Sequence, residues 1–237
     1  CYGGESFATP QVDALAQKSM RFEHCYSMPV CHPSRLALMT GRYPFRLKSG
    51  WGSFPKAEEE FSIGRVMQSA GYTTAVAGKW QMTLMKKDPK QPERVGFDEW
   101  LLFGWHEGAR FHDPMLYQND KPARTMTGSY GPDLYAQFLS SFIERSHKRE
   151  KPFFAYFPMA LAHDVTDDLK WQVPYVPGKD RWMNYGEMIE SMDATVGKLM
   201  ATLDRLDIRK DTVVIFTGDN GTASKSKLRH LGKKGAK

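Results

Sequence analysis

A cysteine, a proline and an arginine lie at fixed spacing in the segment C-H-P-S-R, which begins at Cys31. Pro33 fixes its own φ, and the helix formers after it end at Gly41, so the pattern predicts a short helix that is entered near Pro33. Cys31 would then lie just ahead of the helix N-terminus, where backbone N–H groups favour an anion, and Arg35 would add a cation. This arrangement suits a nucleophile that faces an oxyanion. The alternative is a structural cysteine beside a surface arginine.

Three apolar or β-branched runs, residues 73–77, 153–157 and 213–217, are candidate buried strands, and each is followed by polar residues. Lys79 follows the first run and His163 the second. Asp219 and Asn220 follow the third, and their carboxylate and amide oxygens are the hard ligands that calcium or magnesium prefer. Taken alone, Asp-Asn-Gly is also an ordinary turn signal. Because functional groups collect at the carboxyl ends of parallel strands, we expect these residues to meet at one edge of a sheet.

Three blocks of the sequence resemble the type I sulfatases. The first is C-x-P-S-R followed by an apolar stretch and T-G-R (residues 31–42), the second is G-Y-x-T-x-x-x-G-K-W (71–80), and the third is F-T-x-D-N-G (216–221). The resemblance implies that a formylglycine-generating enzyme converts Cys31 to formylglycine. One hydroxyl of the hydrated aldehyde would attack sulfur, and the other would later expel sulfate, which splits one hard displacement into two easier steps.

The same resemblance implies roles for the remaining site residues. Arg35 would hold the aldehyde-derived group, while Lys79, His163 and Lys237 would neutralise the sulfate. A divalent cation would be bound by Asp219, Asn220 and an oxygen of the modified Cys31. We expect this cation to be calcium, with magnesium as the alternative. Many family members carry a histidine where this chain has Gln81. A glutamine can donate a hydrogen bond to substrate but cannot shuttle a proton near neutral pH.

The order of the predicted elements indicates an α/β protein. Thr9-Pro10 is typical of a helix start, Ser62 is a candidate N-cap for a second helix that ends at Gly71, and a long helix is predicted from the apolar spacing between Met188 and Leu203. Helices that alternate with buried strands predict a mostly parallel sheet covered on both faces. Together with the resemblance, this implies an alkaline-phosphatase-like α/β/α sandwich.

Residues 1–237 are expected to form one partial sulfatase catalytic domain, truncated at both ends. The opening residues C-Y-G-G-E resemble a stretch that, in the family, follows the first core strand and an Asp-Asp pair, neither of which is in this sequence. The final residues G-A-K resemble the G-G-K-G segment, after which the family continues into a C-terminal subdomain. On this basis the chain carries part of the cation site.

The composition fits a globular enzyme, since 41% of residues are hydrophobic and 13% aromatic. The net charge is +6, and a basic cluster lies near the C-terminus without interleaved aromatic residues, which argues against a nucleic-acid-stacking surface. No stretch reaches transmembrane length, and three cysteines are too few for a disulfide scaffold. The resemblance implies a secreted, periplasmic or lysosomal location. The cluster comprises Lys225, Lys227, Arg229, Lys233, Lys234 and Lys237.

The expected substrate is a sulfated small molecule or glycan, and the expected reaction is sulfate monoester hydrolysis. Two alternatives remain open at the level of sequence. A phosphonate or phosphate monoester hydrolase would use the same site, because the tetrahedral anions differ mainly in charge. A non-catalytic polyanion-binding module would use the basic cluster, and its binding would survive the substitution Cys31→Ala.

Overall fold

The computed structural model of the chain describes residues 7–163 and 185–221. The basic cluster and Lys237 lie outside the described residues. The α-helices of the described part are α1 (Pro10–Gln17), α2 (Cys31–Thr40), α3 (Ile63–Ser69), α4 (Gln91–Arg94), α5 (Gly131–Lys148) and α6 (Tyr185–Arg205). Its strands are β1 (Thr73–Lys79), β2 (Glu99–Phe103), β3 (Met115–Gln118), β4 (Lys121–Thr125) and β5 (Phe153–Tyr156). Short 3₁₀ turns cover Pro44–Arg46, Lys56–Phe61 and Arg209–Asp211.

The strands form one sheet in the order β4-β3-β2-β1-β5. β1 lies next to the edge strand β5 and pairs in parallel with both β2 and β5. β3 pairs antiparallel with β2, and β4 antiparallel with β3, so a hairpin extends one edge of a parallel core. The predicted α/β class with a mostly parallel sheet is confirmed, and the antiparallel hairpin is an addition that sequence analysis did not find.

Alternate side chains of β1 enter two separate hydrophobic cores, because successive residues of a strand point to opposite faces. Ala75 and Ala77 pack on the side that α5 and α6 cover. Val76 packs on the other side, against Leu36 and Met39 of α2. All three β1 residues are fully buried. The sheet is therefore covered on both faces, as the predicted sandwich requires, and β1 is its most enclosed strand.

Three helices begin or run where the sequence predicted. α1 begins at Pro10, and α3 begins after Ser62, whose hydroxyl accepts a hydrogen bond from the Arg65 backbone N–H at 3.3 Å. α6 is the longest helix of the described part, and its apolar face buries Met188 and Leu203. No helix within residues 7–163 and 185–221 is long and apolar enough to cross a membrane.

Helix α2 begins earlier than expected, because Cys31 is its first residue rather than a residue ahead of it. Pro33 therefore occupies the third helical position. A proline is tolerated there, since the first backbone N–H groups of a helix have no acceptor within the helix. The helix ends at Gly41, which adopts a left-handed conformation with φ +66°, as the sequence predicted.

The predicted strand at residues 213–217 is wrong. The segment is irregular and shows no pairing with any strand of the described chain. Val213 and Ile215 are 88% and 83% exposed, whereas Val214 packs at the edge of the α5–α6 core. An apolar run is stable as a strand only where a neighbour takes its backbone hydrogen bonds, and the sequence pattern does not show whether such a neighbour exists.

The N-terminus of α1 is capped from a distant part of the chain. Thr9 makes no side-chain cap hydrogen bond. Instead, the buried carboxylate of Asp193 in α6 accepts hydrogen bonds from the backbone N–H groups of Gln11 at 3.0 Å and Val12 at 2.8 Å. A carboxylate at this position satisfies two unpaired donors and complements the positive end of the helix dipole. The bonds thereby tie α1 to α6.

Candidate active site

Lys79 is placed by the close approach of β1 to the segment that follows β5. The Lys79 backbone N–H donates to the Pro158 carbonyl at 2.8 Å. Gly78 makes this approach possible, since it adopts φ +118° and a Cβ atom there would lie 2.3 Å from the same carbonyl oxygen. Only glycine fits such a position. The result is a lysine that is 5% exposed at the carboxyl end of a buried strand.

The ammonium group of Lys79 lies close enough to Cys31, at the start of α2, for their interaction to raise the pKa of Lys79. Burial lowers the pKa of Lys79, and the nearby Arg35 guanidinium lowers it further. Contact with Cys31 and the charge of Asp219 act in the opposite direction. Two cations thus lie close together near Cys31, a distribution of charge that favours an anionic ligand.

Arg35 fixes the geometry between α2 and β1. Its Nη2 donates to the backbone carbonyl of Lys79 and, at 3.0 Å, to that of Trp80. The side chain is 4% exposed, and its Nε finds no hydrogen-bond partner among the described residues. Arg35 therefore uses one nitrogen to hold the strand end and keeps Nε for another acceptor, so the role at the aldehyde-derived group stays a prediction.

Gln81 lies in a strained and buried position next to the strand end. Its φ is +49°, which is uncommon for a residue with a side chain, and it is 2% exposed. Its side-chain oxygen has no hydrogen-bond partner within residues 7–163 and 185–221. A buried amide oxygen without a partner costs free energy, which is tolerated most often where a ligand completes the site.

His163 lies beside a buried arginine that sequence analysis missed. The Arg110 Nη2 lies 3.4 Å from the Nδ1 atom of His163, so the arginine donates and Nδ1 accepts. Desolvation of the ring by burial lowers the pKa of His163 to about 3, and the charges of Arg110 and Lys79 make smaller contributions in the same direction. The His163 residue remains exposed, so solvent screens part of this effect. The arrangement favours a neutral imidazole whose Nε2 carries the proton.

Arg110 gave no signal in the sequence, because it stands alone between apolar residues outside any of the three blocks. Arg110 is 5% exposed, and its guanidinium lies 5.0 Å from the centroid of the Phe111 ring.

His32, beside Cys31, is also buried, and its Nε2 donates to the Ser53 carbonyl at 2.9 Å. Burial lowers the pKa of His32, and Arg35 and Lys79 lower it further, which places its ring near both cations.

The predicted cation ligands lie in an exposed, irregular segment. The Asn220 side-chain nitrogen donates to the Gly221 carbonyl at 2.9 Å, which leaves the amide oxygen to face a ligand. The charge of Asp219 reaches Lys79. No group of three or more histidine, cysteine, aspartate or glutamate residues in the described chain could hold a metal ion. Asp219 and Asn220 are hard oxygen donors that fit one side of a calcium or magnesium sphere, but not a complete one.

The structure brings Cys31, Arg35 and Lys79 into one cluster, with His163 and Asp219 within electrostatic range of Lys79. Gln81 lies two residues beyond Lys79, and Lys237 lies outside the described residues. Buried cations therefore lie near the start of a helix and at the carboxyl end of parallel strands, an arrangement that favours the binding of an anion.

Comparison with known proteins gives the family. The Sulfatase family model matches residues 1–237, so the chain belongs to the sulfatase family. It is 31% identical over 271 residues to N-acetylgalactosamine-6-sulfatase of Rattus norvegicus, covering 99% of this chain and 49% of that protein. The chain thus spans about half the length of the curated relatives it matches.

Solved structures support the same assignment. The Ps i-CgsB crystal structure has a TM-score of 0.71 and 26% identity, covering 86% of this chain and 51% of that one. The BT4656 structure in complex with its substrate, D-glucosamine-2-N,6-O-disulfate, has a TM-score of 0.57 and 27% identity, covering 70% and 32%. An alkaline phosphatase superfamily protein from Vibrio parahaemolyticus, with a TM-score of 0.51 and 20% identity over 86% and 46%, shows the shared fold. The predicted alkaline-phosphatase-like architecture is confirmed.

Proposed function

We propose that the whole protein hydrolyses sulfate monoesters of carbohydrates, with Cys31 as the precursor of its nucleophile. The observation that carries the proposal is that buried Lys79 and buried Arg35, which donates to the Trp80 carbonyl at 3.0 Å, lie within electrostatic range of Cys31 at the first turn of α2. A buried ammonium is expensive unless an anion offsets its charge. A sulfate group placed between Lys79 and the backbone N–H groups of α2 provides that charge.

Each residue of the cluster has a separate task in this proposal. Lys79 neutralises charge on the sulfate oxygens, and this stabilisation grows as charge develops in the transition state. Arg35 holds the end of β1 against α2 and keeps Nε for the nucleophile side. His163, held neutral beside Arg110, donates a hydrogen bond from Nε2 to a sulfate oxygen or the leaving group. Gln81 donates from its amide to the same region.

Two groups complete the proposed chemistry. Formylglycine, when formed from Cys31 and hydrated, would supply one hydroxyl that attacks sulfur and a second hydroxyl whose collapse to the aldehyde would expel sulfate. A divalent cation, calcium or magnesium, would be held in part by Asp219 and Asn220 and would draw electron density from the sulfate. Further ligands must come from outside the described residues.

The substrate class rests on chemistry that the relatives are named for. One relative is an N-acetylgalactosamine-6-sulfatase, and a solved neighbour contains a sulfated glucosamine as its substrate. We therefore propose a sulfated carbohydrate as the substrate of this protein. A location outside the cytosol, the formylglycine-generating enzyme as a partner, and the assignment of residues 1–237 to one partial catalytic domain stay predictions.

The decisive experiment is mass spectrometry of the peptide that contains Cys31. The whole protein is expressed in a host that has a formylglycine-generating enzyme, and aldehyde is trapped as a hydrazone. We expect the aldehyde at Cys31, together with release of sulfate from a sulfated amino sugar. The matched control is Cys25→Ala, because Cys25 is a free, exposed cysteine outside the signature block, and this variant keeps the activity.

The proposal is overturned if Cys31 remains a thiol while sulfate release persists, or if Cys31→Ala keeps the activity. Preferential release of phosphate from a phosphate monoester would instead establish the phosphatase alternative. Salt-sensitive binding of sulfated glycans that survives Cys31→Ala, without any turnover, would establish the polyanion-binding module.

A further inference from the structure

Two tryptophans lie in contact at the rim of the candidate active site. The ring centroids of Trp51 and Trp105 are 6.0 Å apart in an edge-to-face arrangement. Trp51 is also 5.3 Å from the ring of His32, the residue directly after Cys31. Trp51 nevertheless remains 54% exposed. A large aromatic side chain is thus held next to the buried cations but not covered.

The turn that carries Trp51 is fixed rather than loose. The Ser53 carbonyl accepts from His32 Nε2 at 2.9 Å and from the Ser49 hydroxyl at 2.8 Å. The Ser53 hydroxyl donates to the Gly50 carbonyl at 2.8 Å. These bonds tie the turn to the first residues of α2. Because His32 follows Cys31 directly, the position of Trp51 is coupled to that of the nucleophile.

The other tryptophan is fixed from the opposite side. Gly52 adopts φ +71°, and a Cβ atom at this position would lie 3.1 Å from the Trp105 ring, so glycine lets the two turns close together. Two residues beyond Trp105, the Glu107 carboxylate accepts from the backbone N–H groups of Met85 at 3.1 Å and Lys86 at 2.9 Å. Both indoles therefore have defined positions before any ligand arrives.

Trp51 is 54% exposed and packs against half-buried Trp105, so an indole surface held in place lies open to solvent beside the buried cations. Tryptophan offers a wide contact area at low conformational cost, which is why it is used at binding sites. The adjacent cations select a ligand with a negative group. The ligand that fits both features has an anion at one end and a ring with an apolar C–H face beside it.

We propose that Trp51 and Trp105 form a platform on which a sugar ring of the sulfated substrate stacks. The inference rests on the proposed function, and it adds a binding subsite and its ligand class. The sulfate is held at the Lys79 and Arg35 cluster, while the apolar face of a pyranose ring lies against the indoles. The platform thereby selects sulfated carbohydrates over small sulfate esters that end before they reach it.

The test is calorimetric binding to the whole protein carrying Cys31→Ala, which binds without turnover. Three probes are compared: inorganic sulfate, N-acetylgalactosamine 6-sulfate, and N-acetylgalactosamine. We expect Trp51→Ala to weaken the sulfated sugar about tenfold, as truncation of an aromatic anchor does, and to leave inorganic sulfate within about twofold. Trp51→Phe keeps most of the affinity.

The matched control is Phe45→Ala, since Phe45 is 77% exposed and stacks on Tyr43, with ring centroids 5.7 Å apart. It leaves all three affinities unchanged. Equal losses for inorganic sulfate and the sulfated sugar in Trp51→Ala, or no loss for either, overturn the platform. Absence of inorganic sulfate binding in the parent protein instead counts against the proposed anion site, so the two failures are distinguishable.

Discussion

Two regions of the sequence share one pattern, an apolar run followed by polar residues that are candidates for the site. The regions are the carboxyl end of β1 and residues 213–221. In the structure they differ completely. β1 has a strand on each side, and Val76 at its centre is fully buried. The later segment pairs with no strand of the described chain, and Val213 is 88% exposed. The comparison shows that precise placement of a functional side chain depends on the partners of its strand, not on its composition.

The largest expected effect tests this difference with two glycines. Gly78→Ala introduces a Cβ atom 2.3 Å from a backbone oxygen at φ +118°, so we expect it to destabilise the protein by about 3 kcal/mol or more. Gly218→Ala meets no atom within 4 Å, and we expect a change below about 1 kcal/mol. Chemical denaturation of the whole protein measures both. Equal effects would show that the two regions are equally ordered.

The second expected effect is on catalysis. Lys79→Met removes a buried cation at a fixed position, so we expect kcat for sulfate release to fall about 10² to 10³-fold. Asp219→Asn weakens a ligand in an exposed segment, and we expect its loss of activity to be recovered by raising the calcium concentration. Lys87→Met, on the exposed surface, is the control. Recovery of the Lys79 variant by calcium would contradict the assigned division of roles.

A matched pair of valines gives a smaller effect. Val76→Ala removes two methyl groups from a fully buried position, and we expect a loss of about 1 to 3 kcal/mol in the free energy of unfolding. Val213→Ala changes a side chain that is 88% exposed, so we expect a change within about 0.5 kcal/mol. A large loss at Val213 would show that the whole protein covers this segment, and would bring the two regions together.

The smallest effect concerns His163, which lies after β5. The pKa of His163 is about 3 in the folded protein, below the ordinary value of 6.5. Between these two values the unfolded chain therefore binds more protons than the folded one. Stability attributable to this residue is therefore present above pH 6.5 and is lost as the pH falls. We expect His163→Gln to flatten the fall in unfolding free energy between about pH 6.5 and 4 relative to the parent protein. An unchanged slope would contradict the assigned neutral state.

Much of the site could be predicted because its blocks lie on elements with strong local signals. Ser62 and Gly71 bracket α3, and the β-branched run after Gly71 leads directly to Lys79. By contrast, β4 has only exposed residues and no alternation, so its pairing was missed. The Asn119-Asp120 turn, with Asn119 at φ +45°, was the available signal for that hairpin.

Two features of the site had no local signal at all. Arg110 reaches His163 across 53 positions of sequence, and Trp51 meets Trp105 across a similar interval. Contacts of this kind depend on how loops lie over the sheet, which periodicity does not report. The error at residues 213–217 has the opposite cause, since the apolar pattern was present but no strand of the described chain pairs with it.

The cap that Asp193 provides for α1 has a consequence for how the chain is made. The carboxylate is separated by 181 positions from Val12, whose backbone N–H it accepts. At about 5 to 20 residues per second, a ribosome needs roughly 10 to 40 s to synthesise that interval. Throughout this time α1 lacks the cap that Asp193 later provides. It is only two turns long, which is too short for a stable isolated helix. The docking of α1 on α6 therefore belongs to the last stage of synthesis of this region.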